Sequence, residues 1–569
     1  MLKMNVSQMP FTRRNSYMAI SRLGENYKRL GNKEGLYLRT IHGSANTPLI
    51  AQITMTENGQ EKEYGYRLEH TALIFEEKGS KIEICFGDPD TLLIRGTGKA
   101  GLHMDFLTDN GAYDYIYTIP CENRKLYMAN CYKNNCRYLI WAQEGEILLD
   151  QQWKESTALY SRLSCKGPEG FLMILREIET EWDRECKAYD YDQARDKTER
   201  EFLAFKETMP EIPGRYEDEL TMGAYLNWSS IVAAEGLLKR DSMYMSKNWM
   251  CNVWSWDHCF NAIALSYKNP QLAWDQFMVM FDFQDPSGRL PDSVNDVKMI
   301  WNYCKPPIHG WALSKMMEHM ELSQEQIEEA YDCLDRWTGW WLTYRDRKGQ
   351  GLCVYNHGND SGWDNSTAFS VIPPVITPEL QADLILQMEV LADLAGRLDK
   401  KEEQAKWEQA SQDMMEQFLQ ICFRENLPVA LQSATGEEVE NNSLLPYEAL
   451  VLGKRLPEEK RTAMVKVLKS DKFYTEYGFA TESPASPLYR SDGYWRGPIW
   501  APSTMLLLDG LAQCGEHALA REAAEKFANM VTKSGFAENF DALTGEGLRD
   551  RAYTWTASVF LILAHEYLL

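Results

Sequence analysis

A chain of 569 residues exceeds what one hydrophobic core usually supports, so at least two domains are expected. Its 83 acidic against 60 basic residues leave a net charge of −23, a field that repels phosphate backbones and anionic lipid and argues against nucleic acid as a partner. No apolar run approaches the roughly 20 residues of a bilayer span, and the start Met1-Leu2-Lys3-Met4-Asn5 lacks the apolar core of a signal peptide, so a cytoplasmic protein without membrane contact is expected.

The first elements in chain order read as strands. Alternation appears at Leu49–Met55, Lys81–Phe86 and Tyr113–Tyr117, with turn signals at Asp88-Pro89 and Asn110-Gly111, and this spacing predicts a β-sandwich domain over residues 1–175. The thirteen cysteines are odd in number and scattered from Cys85 to Cys514, which fits free thiols in a reducing compartment. Cys131 and Cys136 lack the second pair or histidine cluster that would complete a zinc site. A charged stretch from Arg176 to Lys206 has too few apolar residues for a deeply buried face and reads as a helical surface linker over 176–212.

From about Tyr216 the period becomes that of helices, as in Trp407, Ala410, Met414, Phe418 and Ile421, or Ala557, Phe560, Leu561, Ala564 and Leu568. About twelve helical segments over 213–569 invite six hairpins, and six hairpins in a ring make a double-layered toroid with functional loops at one rim. The aromatic and charged residues cluster where such loops fall. The segments are Trp254-Ser255-Trp256-Asp257-His258, Arg289–Asp292, Lys305-Pro306-Pro307-Ile308-His309-Gly310-Trp311, Asn359–Ser366, Tyr494–Trp500 and Phe536–Asp541. Indole faces stack on the C–H faces of a pyranose while Asp, Arg and His satisfy its hydroxyls, so this mixture is a carbohydrate-site composition.

At five of these segments, in order, the chain resembles the glycoside hydrolases of family 63 and, more distantly, the trehalases of family 37. The likeness rests on Trp254-Ser255-Trp256-Asp257, Lys305-Pro306-Pro307, Ser361-Gly362-Trp363-Asp364, Gly493-Tyr494-Trp495-Arg496-Gly497-Pro498-Ile499-Trp500 and Glu538. It covers roughly Tyr216 to Leu569 and implies an (α/α)6 toroid behind an N-terminal β-sandwich, with an inverting exo-acting α-glycosidase activity. The resemblance implies Asp364 as general acid and Glu538 as general base. It implies that Trp256 and Asp257 hold the non-reducing sugar, with Trp495, Arg496 and Trp500 closing the other side. Trp363 joins these as a stacking candidate, and Lys305 and His309 as polar contacts. Where family members often carry Glu-Ser-Gly, this chain has Asp360-Ser361-Gly362, so no family role transfers to Asp360.

Each residue also has a plainer reading. Asp364 suits a helix N-cap, Asp257 suits a helix dipole, Glu538 competes with Asp541 and Glu546, and His309 reads equally as a satisfied core group. Inversion requires the two carboxyls about 6.5–9.5 Å apart, with a water between. The scheme needs no cofactor and no metal, and loops of the form Asp-x-Asn-x-Asp-Gly are absent. The expected partner is a small α-linked glucoside or oligosaccharide. Glycosides of small acids such as mannosylglycerate are the alternative, with Lys305 and Arg496 meeting the carboxylate. A sugar epimerase working through paired histidines and a non-catalytic carbohydrate-binding protein remain as other classes, and the oligomeric state is not readable.

Overall fold

Alternating apolar and polar residues pair into two antiparallel sheets in the N-terminal region. The computed structural model describes the chain apart from residues 1–3, 25–32, 45–47, 108–112, 122–123, 181, 183–185, 347–348 and 350. The expected Asn110-Gly111 turn and the first three residues of the Met1–Asn5 start lie outside the described residues. One sheet runs, in spatial order, Met18–Leu23, Gly35–Thr40, Leu49–Glu57, Ala100–Phe106, Thr157–Lys166 and Glu146–Lys154, with Gln60–Glu61 off its third strand. The other runs Tyr115–Pro120, Lys125–Cys131, Cys136–Glu144, Gly170–Ile178, Thr91–Thr97, Ser80–Asp88, Leu73–Glu77 and Gly65–Leu68. Leu38, Ile53, Met104 and Leu163 of the first sheet share one buried cluster with Ile84, Ile94, Ile140 and Met173 of the second, which makes the pair a sandwich.

The second sheet's opposite face carries Leu93, Leu126, Leu139, Trp141 and Ile174, and these are covered by Tyr189, Tyr191 and Ala194. Here the structure corrects the surface-linker expectation. Helix α1 (Tyr191–Lys206), N-capped by Asp190, buries Tyr191, Ala194, Thr198, Phe202 and Phe205. The five recur every three to four residues, a stripe that the surrounding charge masks in a composition count. The expected edge near residue 175 falls inside the strand Gly170–Ile178, and the compact unit built on the sandwich comprises residues 1–207, 228–234 and 246–251. Within it the buried Lys247 ammonium donates to the carbonyls of Arg13, Ser16 and Ile231, which ties the two short excursions to the main segment.

Among the described residues eleven further α-helices follow. They are α2 (Glu217–Ser230), α3 (Asp257–Ser266), α4 (Pro270–Met278), α5 (His309–Met317), α6 (Gln324–Tyr344), α7 (Pro378–Arg397), α8 (Lys401–Ile421), α9 (Glu458–Leu468), α10 (Ala501–Gln513), α11 (His517–Ser534) and α12 (Thr554–Leu568). In the second unit α3, α5, α7, the 3-10 segment Leu445–Arg455, α10 and α12 each pack on the next, and α12 closes on α3. Around that inner ring α4 packs on α3, α6 and α8 on α7, α9 on the 3-10 segment, and α11 on α10 and α12. Six inner segments in a closed circuit are the (α/α)6 toroid. The inner helix α3 is buried at every residue, its polar Asp257, His258 and Asn261 included. The outer α8 buries only Trp407, Ser411, Met414 and Phe418, and α6 turns Trp337, Trp340 and Trp341 inward.

The motif segments lead into inner helices. Trp256 is the N-cap of α3, His309 the first residue of α5 and Trp500 the N-cap of α10, while Glu538 lies between α11 and α12. Among the described residues no helix is long and apolar enough to cross a membrane.

Candidate active site

The Asp364 loop begins with a 3-10 turn over Gly358–Ser361 and passes through Gly362 at φ 76°. A β-carbon there would lie 2.5 Å from the Trp256 indole, so only glycine lets that ring rest against the backbone just before Trp363 and Asp364. Asp360 braces the turn from inside. Its carboxylate pairs with Arg345 at 2.8 Å and accepts from the amides of Cys304 (3.1 Å) and Asn356 (2.9 Å), a structural assignment for the position where the family pattern departs.

Asn365 then ties this loop to the Tyr494 loop. Its side chain donates to Gly493 O (3.0 Å) and accepts from Trp495 N (3.0 Å), and its carbonyl accepts from Arg496 Nε (2.6 Å). The chain continues to Ile499, which pairs with Phe540 through two backbone hydrogen bonds of 2.7 and 2.9 Å, and that pair sets the Glu538 segment beside the Trp500 segment. On its other side Glu538 N donates to Asp550 O at 2.7 Å. Two acids 174 positions apart in sequence are thus connected by a short run of hydrogen bonds.

The electrostatics converge in the same place. Burial pushes the Glu538 carboxyl up to about 8; Asp550 and, more weakly, Asp364 add to this while Arg549 opposes it. Burial also raises Asp364, with Lys305 pulling back, Asp292 pushing up, and His357 and the Tyr494 hydroxyl favouring the charged form. Asp257 is pushed up to about 8 by burial, with Lys305 opposing and Asp292 and Asp364 adding. The Tyr494 phenol is raised by burial and then by three negative neighbours, Asp364, Glu538 and Asp257. One hydroxyl therefore feels all three acids. Asp364 reaches solvent with 31% of its side chain, whereas Glu538 and Asp257 are nearly sealed.

Lys305 is the cation of this cluster. Its buried Nζ donates to Asn359 O (2.8 Å) and Oδ1 (2.6 Å), pairs with Asp292 at 3.2 Å and lies 4.0 Å from Asp364. That corrects the expectation that Lys305 meets a carboxylate on the aglycone, since the ammonium is already surrounded by acceptors of its own chain. Arg496 is half-buried and has no ion-pair partner among the described residues.

The indoles engage one another. Trp495 stacks on Trp500 at 3.9 Å and on Trp363 at 4.7 Å, and Trp256 and Trp500 each meet Trp555 edge-on at 5.8 and 5.5 Å. Trp363, Trp495 and Trp500 are at most 1% exposed, so a pyranose meets a free face on none of them in this arrangement; they form the wall behind the acids. Tyr494, Trp254 and Tyr303, by contrast, keep partial exposure. His309 stands apart, fully buried against Phe281, Trp337 and His258. Burial lowers His258 to about 4 and holds His309 well below the usual imidazole range, so both rings are neutral.

Three participants were not singled out from sequence. Asn365 sits inside a quoted motif but carries no chemical signature of a clamp. Tyr494 and Arg549 both adopt left-handed backbone, at φ 64° and 61°, a conformation neither residue type announces. Arg549 lies 4.8 Å over the Tyr494 ring and pairs with Asp492 at 2.9 Å, so two strained residues face each other beside Glu538.

Comparison with known proteins agrees with this layout. A glucosylglycerate hydrolase of Mycolicibacterium hassiacum is 22% identical over 410 residues, covering 54% of this chain and 91% of its own. The crystal structure of a GH63 mannosylglycerate hydrolase from Thermus thermophilus in complex with glucose superposes with a TM-score of 0.53 at 20% identity, covering 60% of this chain and 98% of that one. A bacterial glucoamylase complexed with acarbose has the same fold across 100% of this chain and 94% of its own, with a TM-score of 0.64 at 13% identity. The family model described as the mannosylglycerate hydrolase MGH1-like glycoside hydrolase domain matches residues 250–556, and the chain belongs to that family of glycoside hydrolases.

Proposed function

We propose that the enzyme hydrolyses the α-glycosidic bond between a hexose and a small organic acid, of the mannosylglycerate or glucosylglycerate class, by a single displacement with inversion. The observation that carries this reading is the pair Asp364 and Glu538, both pushed toward higher proton affinity, with the charge of Asp364 felt at Glu538 and both acting on Tyr494. Asp364, partly open to solvent, protonates the departing oxygen, and the sealed Glu538 draws a proton from water on the opposite face of the ring. Trp256 and Asp257 line the sugar's side of the cluster. The relatives named for mannosylglycerate and glucosylglycerate favour a glycosylated acid over the general α-glucoside that the motifs alone put first. Arg496, without an ion partner among the described residues, is the group suited to the acid's carboxylate.

Burial gives a second reading equal physical sense. A carboxyl held at about 8 keeps its proton at neutral pH, so by this measure Glu538 has the stronger claim to be the acid and Asp364 to be the base. A glycosyl fluoride separates the two, because fluoride leaves without protonation. Asp364→Asn is expected to lose nearly all turnover of the glycosylated acid yet keep hydrolysis of the matching α-glycosyl fluoride, while Glu538→Gln loses both. The opposite pattern reverses the roles, and full activity of either variant on the natural bond ends the assignment. Release of the β-anomer, followed by proton NMR, checks inversion. An epimerase is disfavoured because His258 and His309, although paired at 5.2 Å, are sealed from solvent.

A further inference from the structure

We propose that His258, Cys259 and His309 form a structural zinc site that pins the turn carrying Trp256 and Asp257. Their ligand atoms, one per residue, all lie within 4.8 Å of one another, and all three side chains are buried. Tetrahedral zinc held by two imidazole nitrogens and a thiolate, with water in the fourth position, sets the three protein ligands about 3.4–3.6 Å apart. His258 Nε2 and Cys259 Sγ are 3.8 Å apart and the pairs with His309 lie within 4.8 Å, so binding draws the three ligands together by up to about 1 Å.

The hydrogen bonds point the same way. His258 Nδ1 lies 2.9 Å from Trp254 O, and since a carbonyl only accepts, the ring's hydrogen is on Nδ1 and its lone pair is on Nε2, on the side of Cys259. The Phe277 backbone acts on the same ring less than Trp254 does. Holding the non-ligating nitrogen on a backbone carbonyl is how metal-binding histidines are commonly oriented. His309 supplies the second observation. It is 0% exposed, and neither Nδ1 nor Nε2 has a partner in hydrogen-bond geometry, although an imidazole always carries a donor, an acceptor or both. A hydrogen-bonding interaction with the Ser255 backbone, outside good hydrogen-bond geometry, is the weakest influence on this ring, and Ser255 Oγ is also buried and unpartnered. A metal ion taken up by one His309 nitrogen removes an unsatisfied group that a purely aromatic pocket leaves in place.

Two nitrogens and one sulfur, none of them an oxygen, select a borderline ion rather than calcium or magnesium. The three ligands come from the first turns of α3 and α5, neighbours in the inner ring, so zinc links these helix starts to each other. Asp257 directly precedes the first ligand. The role assigned is therefore positional, and no step of the hydrolysis passes through the ion. The proposal is independent of the substrate and of which carboxyl is the acid.

The test is metal content. Full-length protein incubated with zinc sulfate and freed of excess by gel filtration is expected to retain one zinc per chain by mass spectrometry. His309→Gln and Cys259→Ser are each expected to lose it. Cobalt in place of zinc gives a thiolate-to-cobalt band in the near ultraviolet that Cys259→Ser abolishes. Should either variant fail to fold, chelation of the wild type keeps the test open: removing zinc lowers Tm and adding it back restores Tm. No retained zinc in the wild type, zinc undiminished in both variants, or a Tm indifferent to chelation and re-addition overturns the site.

Discussion

The sandwich and the helical ring treat buried acids in opposite ways. In the sandwich, burial alone would raise Glu83, whose side chain is 4% exposed, but Lys81 at 2.6 Å and Arg95 at 2.8 Å bring it below the usual carboxylate range. Asp88 follows the same pattern, with burial outweighed by Lys187 and Tyr189. In the ring, burial pushes Glu379 up to about 8 and raises Asp383 and Glu448 well above the usual range, with no cation among the described residues opposing it at any of the three. Glu538 and Asp364 are raised in the same direction, although Arg549 opposes burial at the first and Lys305 at the second. The sandwich acids are neutralised by a partner, whereas these ring acids are held in surroundings that favour the protonated form.

At Lys305, as at Arg345 beside Asp360, the ring adopts the sandwich's device, and removing Lys305 sharpens the contrast most. In Lys305→Met, Asp292 and Asp364 lose the cation that acts on them most strongly. Turnover is expected to fall about 10²-fold or more, the scale of one disturbed proton-transfer group. The sign of the pH effect is also set. Lys305 lowers Asp364, so its loss raises the Asp364 pKa; an acid that stays protonated longer moves the alkaline limb of kcat/KM to higher pH. A limb that stays in place or moves down breaks the link between Lys305 and the proton donor, or gives Asp364 the base's role.

How much of this was legible in sequence depends on how local the cause is. The outer helix α8 announced itself through Trp407, Met414 and Phe418, and the site loops through glycine and tryptophan set beside charge. Among the inner helices α12 showed its period through Ala557, Phe560, Leu561, Ala564 and Leu568, whereas α3 is buried on every side and has no polar face to give it one. Glu379 and Asp383 are one turn apart on α7, a spacing that in sequence reads as a solvated face; only the ring's closure buries both. The stacking of Trp363, Trp495 and Trp500 was equally hidden. Each indole looked like a sugar platform until the Asn365 clamp brought the two loops together and turned the faces toward one another.

The acid trio behind Trp363 gives the next largest effect, in stability. Glu379 has a folded pKa of about 8 against an ordinary 4.5, so the folded state holds its proton more tightly than the unfolded chain. Its contribution is fully present below about 4.5 and is lost as pH rises through about 8. Glu379→Gln removes that dependence. The variant is expected to gain up to a few kcal/mol relative to wild type between about pH 5.5 and 8.5, in urea melts at each pH. A difference that does not grow with pH means that Glu379 is neutralised by a cation or hydrogen bonds, in the manner of Glu83.

Glu83→Gln is the converse and the smallest effect. Its folded pKa is depressed, so its contribution is present above the ordinary value of 4.5 and disappears as pH falls through the folded pKa. Lys81 and Arg95 keep 32% and 27% of their side chains in solvent, and screening holds the loss at pH 7 to about 1 kcal/mol. The same urea melts are therefore expected to show a variant less stable than wild type at neutral pH, with the gap closing as pH falls below the ordinary 4.5. Because Glu379→Gln widens its gap as pH rises and in the stabilising direction, the two glutamates, each traded for the same amide, should give pH slopes of opposite sense relative to wild type: one acid's charge is held by neighbours, and the other's is opposed by its surroundings.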